Sequence, residues 1–308
     1  MDIQAFKNYV SDFLSYVEVE RNLSVNTIKS YRSDLARFTQ FWQRINESEH
    51  VEVPLKKSFE RYFLSLFHEH FDKSSVARKV SCFTSFENFM ETKGISLSLN
   101  LKRPHIDKKL PLYLTVDEIF YLLDKVSNEQ LPTKRPYRDK AIFELLYATG
   151  MRCSELCSIQ MKDVDLENKV IRVYGKGRKE RLALFGTKAK ERLELYLKHE
   201  RPRVFDYSEK LFINGQSEPL TPRTIQRIIV MFRPFLKGNK LVTPHKIRHS
   251  FATHLLHEGV DLRVVQELLG HETLSSTEKY THVTGVRLAE IYDTIHPLAS
   301  MKKLKQGS

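Results

Sequence analysis

The stretch Thr243-Pro-His-Lys-Ile-Arg248 marks a helix start in the C-terminal half of a chain of 308 residues. Threonine is a favoured N-cap and proline is favoured at the first helical position, so the helix is predicted to begin at Pro244. His245 and Arg248 then lie one turn apart and face the same way. The first turn also presents unpaired backbone N–H groups, and it is therefore suited to bind an anionic group such as a phosphate.

A second anion-binding region is predicted downstream of this helix. Residues 261 to 269 are expected to form a short helix that Gly270 ends, which places His271 in the turn that follows. Ser275-Ser-Thr-Glu278 has the pattern of a capping box and predicts a further helix that carries Tyr280. His271 and Tyr280 would come from adjoining turns and can therefore share one site.

Upstream, an arginine is expected where two helix ends meet. The run from Asp139 to Thr149 reads as a helix closed by Gly150, and a new helix is predicted just after Arg152. A guanidinium at this place can hold two phosphate oxygens at once. The alternative is that Arg152 only pairs with Glu155.

A β-hairpin is predicted between these helical regions. Residues 164 to 184 alternate apolar and polar side chains around Gly175-Lys-Gly-Arg-Lys179, which is the pattern of a hairpin. Earlier in the chain, Thr115-Val-Asp-Glu118 has the pattern of a capping box and predicts a helix that runs through residues 120 to 123. Lys176 lies at the tip between two glycines, where the backbone can approach a ligand. The spacing differs from that of a P-loop, so nucleotide binding is not expected there.

These residue types suit the cleavage of a phosphodiester without a metal. The phosphate becomes a better electrophile when cationic side chains neutralise its oxygens. A tyrosine has a pKa of about 10, and it attacks at neutral pH only when a base or a cationic field helps to remove its proton. The candidate site residues are Arg152, Lys176, His245, Arg248, His271 and Tyr280.

Composition favours a polyanionic partner and a reducing compartment. The net charge is +12 and the isoelectric point is near 9.4, which favours nucleic acid. The three cysteines form no disulfide framework or redox motif. A metal site on His245 and His249 is disfavoured, because the neighbouring residues do not complete a zincin motif. The N-terminus has neither the basic segment nor the apolar segment of a signal peptide, and no apolar run is long enough to span a bilayer, so a cytoplasmic protein is expected.

The chain is predicted to divide into two domains. Apolar residues recur at helical spacing from Phe6 to Met90, which predicts an all-helical domain over 1–101 with an aromatic core. Ser24 is expected to cap its second helix, Pro54 to open the third, and Ser74 or Ser75 to start the fourth. The proline-containing basic segment 102–111 is expected to be a linker, either solvated or in contact with phosphates. A second domain with a C-terminal tail covers 112–308.

The chain resembles the tyrosine site-specific recombinases, and it is most similar to the bacterial Xer proteins. The resemblance covers nearly the whole chain. It is carried by Ala148-Thr-Gly-Met-Arg-Cys-Ser-Glu-Leu156, Gly175-Lys-Gly177, Thr243-Pro-His-Lys-Ile-Arg-His-Ser-Phe-Ala-Thr-His254, Leu268-Leu-Gly-His271 and Thr277-Glu-Lys-Tyr-Thr-His282. It implies a mainly α fold with a small antiparallel sheet. In that fold, a helical core-binding domain and a catalytic domain close around DNA as a clamp.

The resemblance also implies a role for each candidate residue. Arg152 and Arg248 would hold the non-bridging phosphate oxygens, and His245 with His271 would stabilise the transition state and move protons. Glu155 matches an acidic position of the family that orients the first arginine.

Lys176 and Tyr280 would act on the two bridging oxygens. The lysine would protonate the leaving 5′ oxygen, and the tyrosine would form a 3′-phosphotyrosine, which a 5′ hydroxyl of the partner strand reverses without ATP or any cofactor. The implied partners are a double-stranded recombination site, three further subunits of the same or a paralogous recombinase, and a regulatory DNA translocase. The implied role is the resolution of chromosome or plasmid dimers.

Three other functions remain open at this point. A phage or transposon integrase would share the same residues, and a type IB topoisomerase would relax supercoils as a monomer rather than exchange strands. A DNA-binding protein without catalytic activity is disfavoured, because all six candidate residues are present.

Overall fold

The computed structural model describes residues 1–105, 113–175, 180–201 and 209–270. The chain divides into two compact units, Met1–Leu110 and Pro111–Ser308. The described residues are mainly helical with one three-stranded antiparallel sheet, which confirms the predicted fold class. Within these ranges, no helix is both long enough and apolar enough to cross a bilayer.

The first unit contains four helices in its described part. They are α1 (Ile3–Val19), α2 (Val25–Glu49), α3 (Leu55–His68) and α4 (Lys73–Thr92). Ser24 caps α2 as predicted, and its hydroxyl accepts a hydrogen bond from the Thr27 N–H at 3.2 Å. The predicted start of α4 at Ser74 or Ser75 is wrong. Asp72 is the N-cap, because its carboxylate accepts from the Ser74 N–H and the helix then begins one residue earlier.

The core of this unit is aromatic, as the helical spacing predicted. Phe38 and Phe59 stack with their ring centroids 3.9 Å apart, and Phe6 meets the Phe38 ring edge-on. The indole N–H of the fully buried Trp42 donates to the carbonyl of Val53 at 2.8 Å, so its polar atom is satisfied. Helix α2 is thereby joined to the turn before α3.

The second unit contains the remaining described elements. They are α5 (Val116–Phe120), a π-helical turn (Tyr121–Lys125), α6 (Pro136–Thr149), α7 (Cys153–Ser158), a 3₁₀ turn (Met161–Asp163), β1 (Val164–Asp165), β2 (Val170–Tyr174), β3 (Glu180–Leu184), α8 (Thr187–His199), α9 (Pro222–Val230), two 3₁₀ turns (Arg233–Phe235 and Lys237–Asn239), α10 (Pro244–His257) and α11 (Leu262–Leu269). The capping box of Thr115 and Glu118 is present at the start of α5. The predicted hairpin is confirmed, since β2 and β3 pair antiparallel between Val170 and Leu184.

Helix α6 lies at the centre of the second unit, and from Arg138 to Thr149 every residue is buried. Its N-terminus is capped by the Glu200 carboxylate, which accepts from the N–H groups of Tyr137 and Arg138 at 3.0 and 2.8 Å. A carboxylate here also meets the positive end of the helix dipole. The helix is therefore fixed in place, and its C-terminal end positions the residues that follow it.

Gly150 ends α6 as predicted, in the left-handed region with φ of 58°. A Cβ atom at this position would lie 2.5 Å from Cδ1 of Phe251 and 2.8 Å from Cδ2 of Leu269. Both the backbone conformation and the close approach of α10 and α11 therefore require glycine. The chain can turn sharply here, towards α7.

Candidate active site

Arg152 lies between the two helix ends, as predicted, and it is the N-cap residue of α7. Its backbone N–H donates to Oε2 of Glu155 at 2.9 Å, and its Nη1 donates to Oε1 at 2.8 Å. The arginine side chain nevertheless remains 43% exposed. The pairing with Glu155 therefore orients the guanidinium while part of it stays accessible to a ligand.

Glu155 is a buried carboxylate that two arginines share. Its side chain is 4% exposed, and its Oε2 also accepts from Nη2 of Arg181 at 3.0 Å. Burial raises the pKa of Glu155, but the N–H of Arg152 and the charges of Arg181 and Arg152 outweigh it and hold the pKa below its usual value. The carboxylate is therefore ionised at neutral pH and fixes both guanidinium groups.

Arg248 extends from α10 to the same region. Thr243 and Pro244 begin that helix as predicted, and the Thr243 hydroxyl accepts from the Lys246 N–H. Nη1 of Arg248 donates to the carbonyl of Gly150 at 2.5 Å, and Nη2 donates to the carbonyl of Leu269 at 2.7 Å. A guanidinium has five N–H donors, so three remain for a ligand.

The charged neighbours of Arg248 act on its pKa together with burial. Burial, the largest cause, and the positive charges of Arg152 and Arg181 lower the pKa of Arg248 to about 10, although the charge of Glu155 opposes them. Arg152 and Arg181 thus hold the Glu155 carboxylate, Arg248 is held at the Gly150 carbonyl two residues before Arg152, and the cluster carries excess positive charge. Such a cluster attracts an anion, and a phosphate can satisfy the donors that the protein leaves unused.

His245 lies in the first turn of α10, three residues before Arg248, and its side chain is exposed. Lys176, His271 and Tyr280 lie outside the described residues. Among the described residues, the strands β2 and β3 come directly before and after residues 176–179 in sequence, and α11 is ended by Gly270 as predicted. The structure therefore brings Arg152 and Arg248 together, and the other four candidates remain predictions.

Sequence reasoning missed Arg181. This residue lies on β3 opposite Val173, which is 1% exposed, and residues opposite each other in an antiparallel pair share a face of the sheet. A charged side chain at a core-facing position needs a buried partner. The alternation of the strand, with Ala183 two residues further on, was the signal that could have revealed it.

His249 and His254 of α10 pack within the domain, as predicted, and the His249 ring meets that of Tyr113 edge-on. His254 is buried, and its Nδ1 forms a 2.9 Å hydrogen bond with the hydroxyl of Tyr147. Burial, and to a smaller degree the charge of His257, lower the pKa of His254 to about 4, so the ring is neutral at physiological pH. In the part of the chain that the structure describes, no group of three His, Cys, Asp or Glu side chains is arranged to hold a metal ion.

Family profiles match both units of the chain. The phage integrase family profile matches residues 113–286, and the profile of the phage integrase N-terminal SAM-like domain matches residues 10–94. This chain belongs to the phage integrase family. The family resemblance drawn from its motifs is thereby confirmed.

Curated relatives of this family member are tyrosine recombinases. A tyrosine recombinase XerC from Thermodesulfovibrio yellowstonii is 37% identical over 94% of this chain and 97% of its own length. A XerC from Staphylococcus aureus is 39% identical over 95% and 98%, and a XerD from Staphylococcus haemolyticus is 36% identical over 94% and 99%. The chain is thus a tyrosine recombinase. Both XerC and XerD proteins are thus among its relatives.

Solved structures show the same fold. The XerH recombinase bound to its difH substrate, in a pre-cleavage complex, superimposes with a TM-score of 0.66 and 22% identity, covering 95% of this chain and 83% of that one. A lambda integrase dimer bound to a COC′ core site gives a TM-score of 0.63 at 18% identity, covering 89% and 98%. At these identities, the two comparisons show that this chain shares the fold of these proteins.

Proposed function

We propose that this tyrosine recombinase is a site-specific DNA recombinase that cuts and rejoins DNA strands through a 3′-phosphotyrosine and resolves chromosome or plasmid dimers. The observation that carries the proposal is the cluster in which Arg152 and Arg181 hold Glu155 while Arg248 is held at the Gly150 carbonyl. Arg152 and Arg248 keep donors for a ligand. The net charge of +12 supports a polyanionic substrate. The XerH relative is itself bound to a DNA site.

In the proposed reaction, the phenolic oxygen of Tyr280 attacks the scissile phosphorus while its proton passes to a neighbouring base. The bond between phosphorus and the 5′ oxygen breaks, and Lys176 protonates the departing oxygen. Arg152 and Arg248 neutralise the non-bridging oxygens as charge builds on them. The phosphotyrosine ester replaces the broken ester bond to the 5′ oxygen and retains its energy. A 5′ hydroxyl of the partner strand can therefore attack the phosphotyrosine and rejoin the DNA without an added energy source.

His245 and His271 complete the proposed machinery. The exposed position of His245 in the first turn of α10 leaves it free to approach a DNA phosphate. Four protomers would act on two sites, all alike or paired with a paralogous recombinase, and a DNA translocase would regulate them in the cytoplasm. The presence of both XerC and XerD proteins among the relatives supports a paralogous partner.

The decisive experiment traps protein on DNA. Genomic fragments selected for binding to the full chain are rebuilt as nicked suicide duplexes, on which cleavage releases a short strand and cannot be reversed. Wild-type protein is expected to form a covalent complex in the presence of EDTA, because the cationic cluster replaces a metal. Tyr280→Phe is expected to bind the same duplex but form no complex, since it removes only the nucleophilic oxygen.

Each other outcome points to a different nucleophile or a different function. Normal covalent complex from Tyr280→Phe would assign the nucleophile elsewhere, with Tyr292 the next candidate. Binding without cleavage by the wild type would make the chain a DNA-binding protein. Relaxation of a supercoiled plasmid without exchange between two sites would make it a topoisomerase.

A further inference from the structure

Arg181 is the third guanidinium of the cluster, and its side chain is only 15% exposed. Both terminal nitrogens donate to the protein. Nη1 donates to the carbonyl of Leu268 at 2.9 Å, and Nη2 donates to Oε2 of Glu155 at 3.0 Å. Its Nε is buried and has no hydrogen-bond partner among the described residues. The guanidinium is thus turned inward, in contrast to the half-exposed Arg152.

The contacts of Arg181 join three elements that are far apart in sequence. Leu268 is 87 residues from Arg181, and Glu155 is 26 residues away on α7. In sequence, β3 follows the segment that holds Lys176, and His271 comes three residues after Leu268. One largely enclosed side chain therefore links β3, α7 and the end of α11, which adjoin the predicted catalytic residues.

The last turn of α11 is the second point of attachment. Successive carbonyls there accept from two different arginines, Leu268 from Arg181 and Leu269 from Arg248. The final carbonyls of a helix have no partner within the helix and form the negative end of its dipole, so cations bind well at this place. This turn is held on both sides, and Arg248 shares its anchor with Arg181.

The backbone of α11 makes room for Arg181. Gly270 ends the helix with φ of 67°, and a Cβ at this position would lie 3.0 Å from both Cδ and Nε of Arg181. The arginine side chain therefore lies directly against the glycine, and its position is set by close contact as well as by hydrogen bonds.

We propose that Arg181 is a positioning residue for strand cleavage: it locks Glu155 and the last turn of α11, and thereby holds Arg152 and Arg248 in the geometry that the phosphate requires. It does not touch DNA. The proposal rests on the recombinase function proposed above. A displacement of catalytic groups by about 1 Å can cost roughly 10²-fold in rate, so loss of this lock is expected to slow the chemical step and leave affinity unchanged.

The test compares Arg181→Gln and Arg181→Lys with wild type on the same nicked suicide duplex. The first-order rate of covalent complex formation at saturating protein, the protein concentration that half-saturates the duplex, and the melting temperature are measured for each. Arg172→Gln is the matched control, because Arg172 lies on the same hairpin and pairs with Glu180 in an exposed ion pair. We expect a rate about 10²-fold lower for Arg181→Gln. Arg172→Gln is expected to match wild type.

Arg181→Lys is expected to lie between the two, since an ammonium can donate to Glu155 or to the Leu268 carbonyl but lacks the planar fork that serves both. A higher half-saturating concentration with an unchanged rate at saturation would overturn the proposal, because it would show a binding role. If Arg181→Gln does not fold, Arg181→Lys decides. A wild-type rate from that variant overturns the proposal, and a slower rate with normal binding supports it.

A double-mutant cycle with Glu155→Gln tests the route of action. If Arg181 acts through Glu155, then Arg181→Gln slows cleavage far less in the Glu155→Gln background than in wild type. If the rate losses of Arg181→Gln and Glu155→Gln multiply in full in the double variant, action of Arg181 through Glu155 is overturned. Failure of wild-type protein to cleave would count against the recombinase function itself. Normal cleavage by Arg181→Gln would count only against the role of Arg181.

Discussion

The guanidinium of Arg248 donates to the main-chain carbonyl of Gly150, 98 residues earlier in the chain, at 2.5 Å. Since Arg152 follows Gly150 by two residues, this contact sets α10 directly against the turn that carries the first arginine. The two arginines predicted for the site are therefore positioned through the backbone of one tight turn. They need no direct contact with each other.

The Arg248→Ala variant is expected to cleave DNA at least about 10²-fold more slowly than wild type, as for the loss of one preorganised donor to a developing oxyanion. The rate of covalent complex formation on the suicide duplex measures this. Arg263→Ala, an exposed arginine on α11, is the control and is expected to cleave normally. Because Arg248 also anchors two carbonyls, melting temperatures must accompany the rates, and Arg248→Lys retains the charge if alanine unfolds the protein. A rate within a factor of about two of wild type would remove Arg248 from the site.

Gly150→Ala is expected to destabilise the second unit by at least about 2 kcal/mol, because it adds left-handed strain and a clash with Phe251. Gly259→Ala separates the two causes. Gly259 has φ of 83° but no neighbour within 4 Å of a Cβ, so only strain of about 1 kcal/mol is expected there. Urea unfolding measures both. Equal losses from the two variants would show that the close approach of Phe251 costs nothing.

Asp34→Ala is expected to destabilise the first unit by roughly 3–5 kcal/mol, because it leaves a buried ammonium without its counter-charge. Asp34 accepts from Lys79 at 2.6 Å and from Arg78, and the Lys79 side chain is only 5% exposed. Glu69→Gln is the control, since Glu69 pairs with Arg37 in an exposed ion pair whose loss should cost at most about 1 kcal/mol. Denaturant unfolding of both variants tests this, and a similar small loss from both would contradict it.

Glu144→Gln is expected to make stability less dependent on pH. Burial raises the pKa of Glu144 to about 7, above its value in the unfolded chain, and its Oε2 has no hydrogen-bond partner among the described residues. The folded chain thus holds this proton more tightly. The resulting stability is complete below the unfolded pKa of about 4.3 and is lost as the pH rises through about 7.

The free energy of unfolding should therefore fall between about pH 5 and about pH 8 in wild type, and fall less in Glu144→Gln. At the upper pH the variant should be the more stable protein, since an amide carries no buried charge. Glu167→Gln, which removes an exposed carboxylate, is the control. Parallel curves for wild type and Glu144→Gln would contradict the assignment.

Local signals in the sequence predicted much of the fold. The capping box of Thr115, the N-cap of Thr243 and the helix-ending Gly150 and Gly270 act within a few residues, so their geometry follows from nearest neighbours alone. The start of α4 was misassigned because Asp72 and the serines after it are all capable caps, and the sequence does not rank them.

Long-range partners could not be predicted in the same way. Arg152 and Arg248 were identified from their places at helix ends, but the carbonyls that hold Arg248 are main-chain atoms that any sequence would carry. The alternation of β3 could have indicated that Arg181 faces the core, but its partner at Leu268 lies 87 residues away and leaves no local signal in the sequence. Glu155 was expected to orient Arg152, and its sharing with a second arginine was not expected.

The two carbonyls that hold Arg248, of Gly150 and Leu269, are far apart in sequence and leave the ribosome at different times. Gly150 lies 98 residues before Arg248, and Leu269 lies 21 residues after it. Domains fold as the chain leaves the ribosome, from the N-terminus onward. A nascent or prematurely terminated polypeptide that ends before Leu269 would hold this arginine by one anchor at most. The capacity to cut DNA would therefore arise only after translation has passed Leu269, so shorter fragments that could bind DNA would be unable to break it.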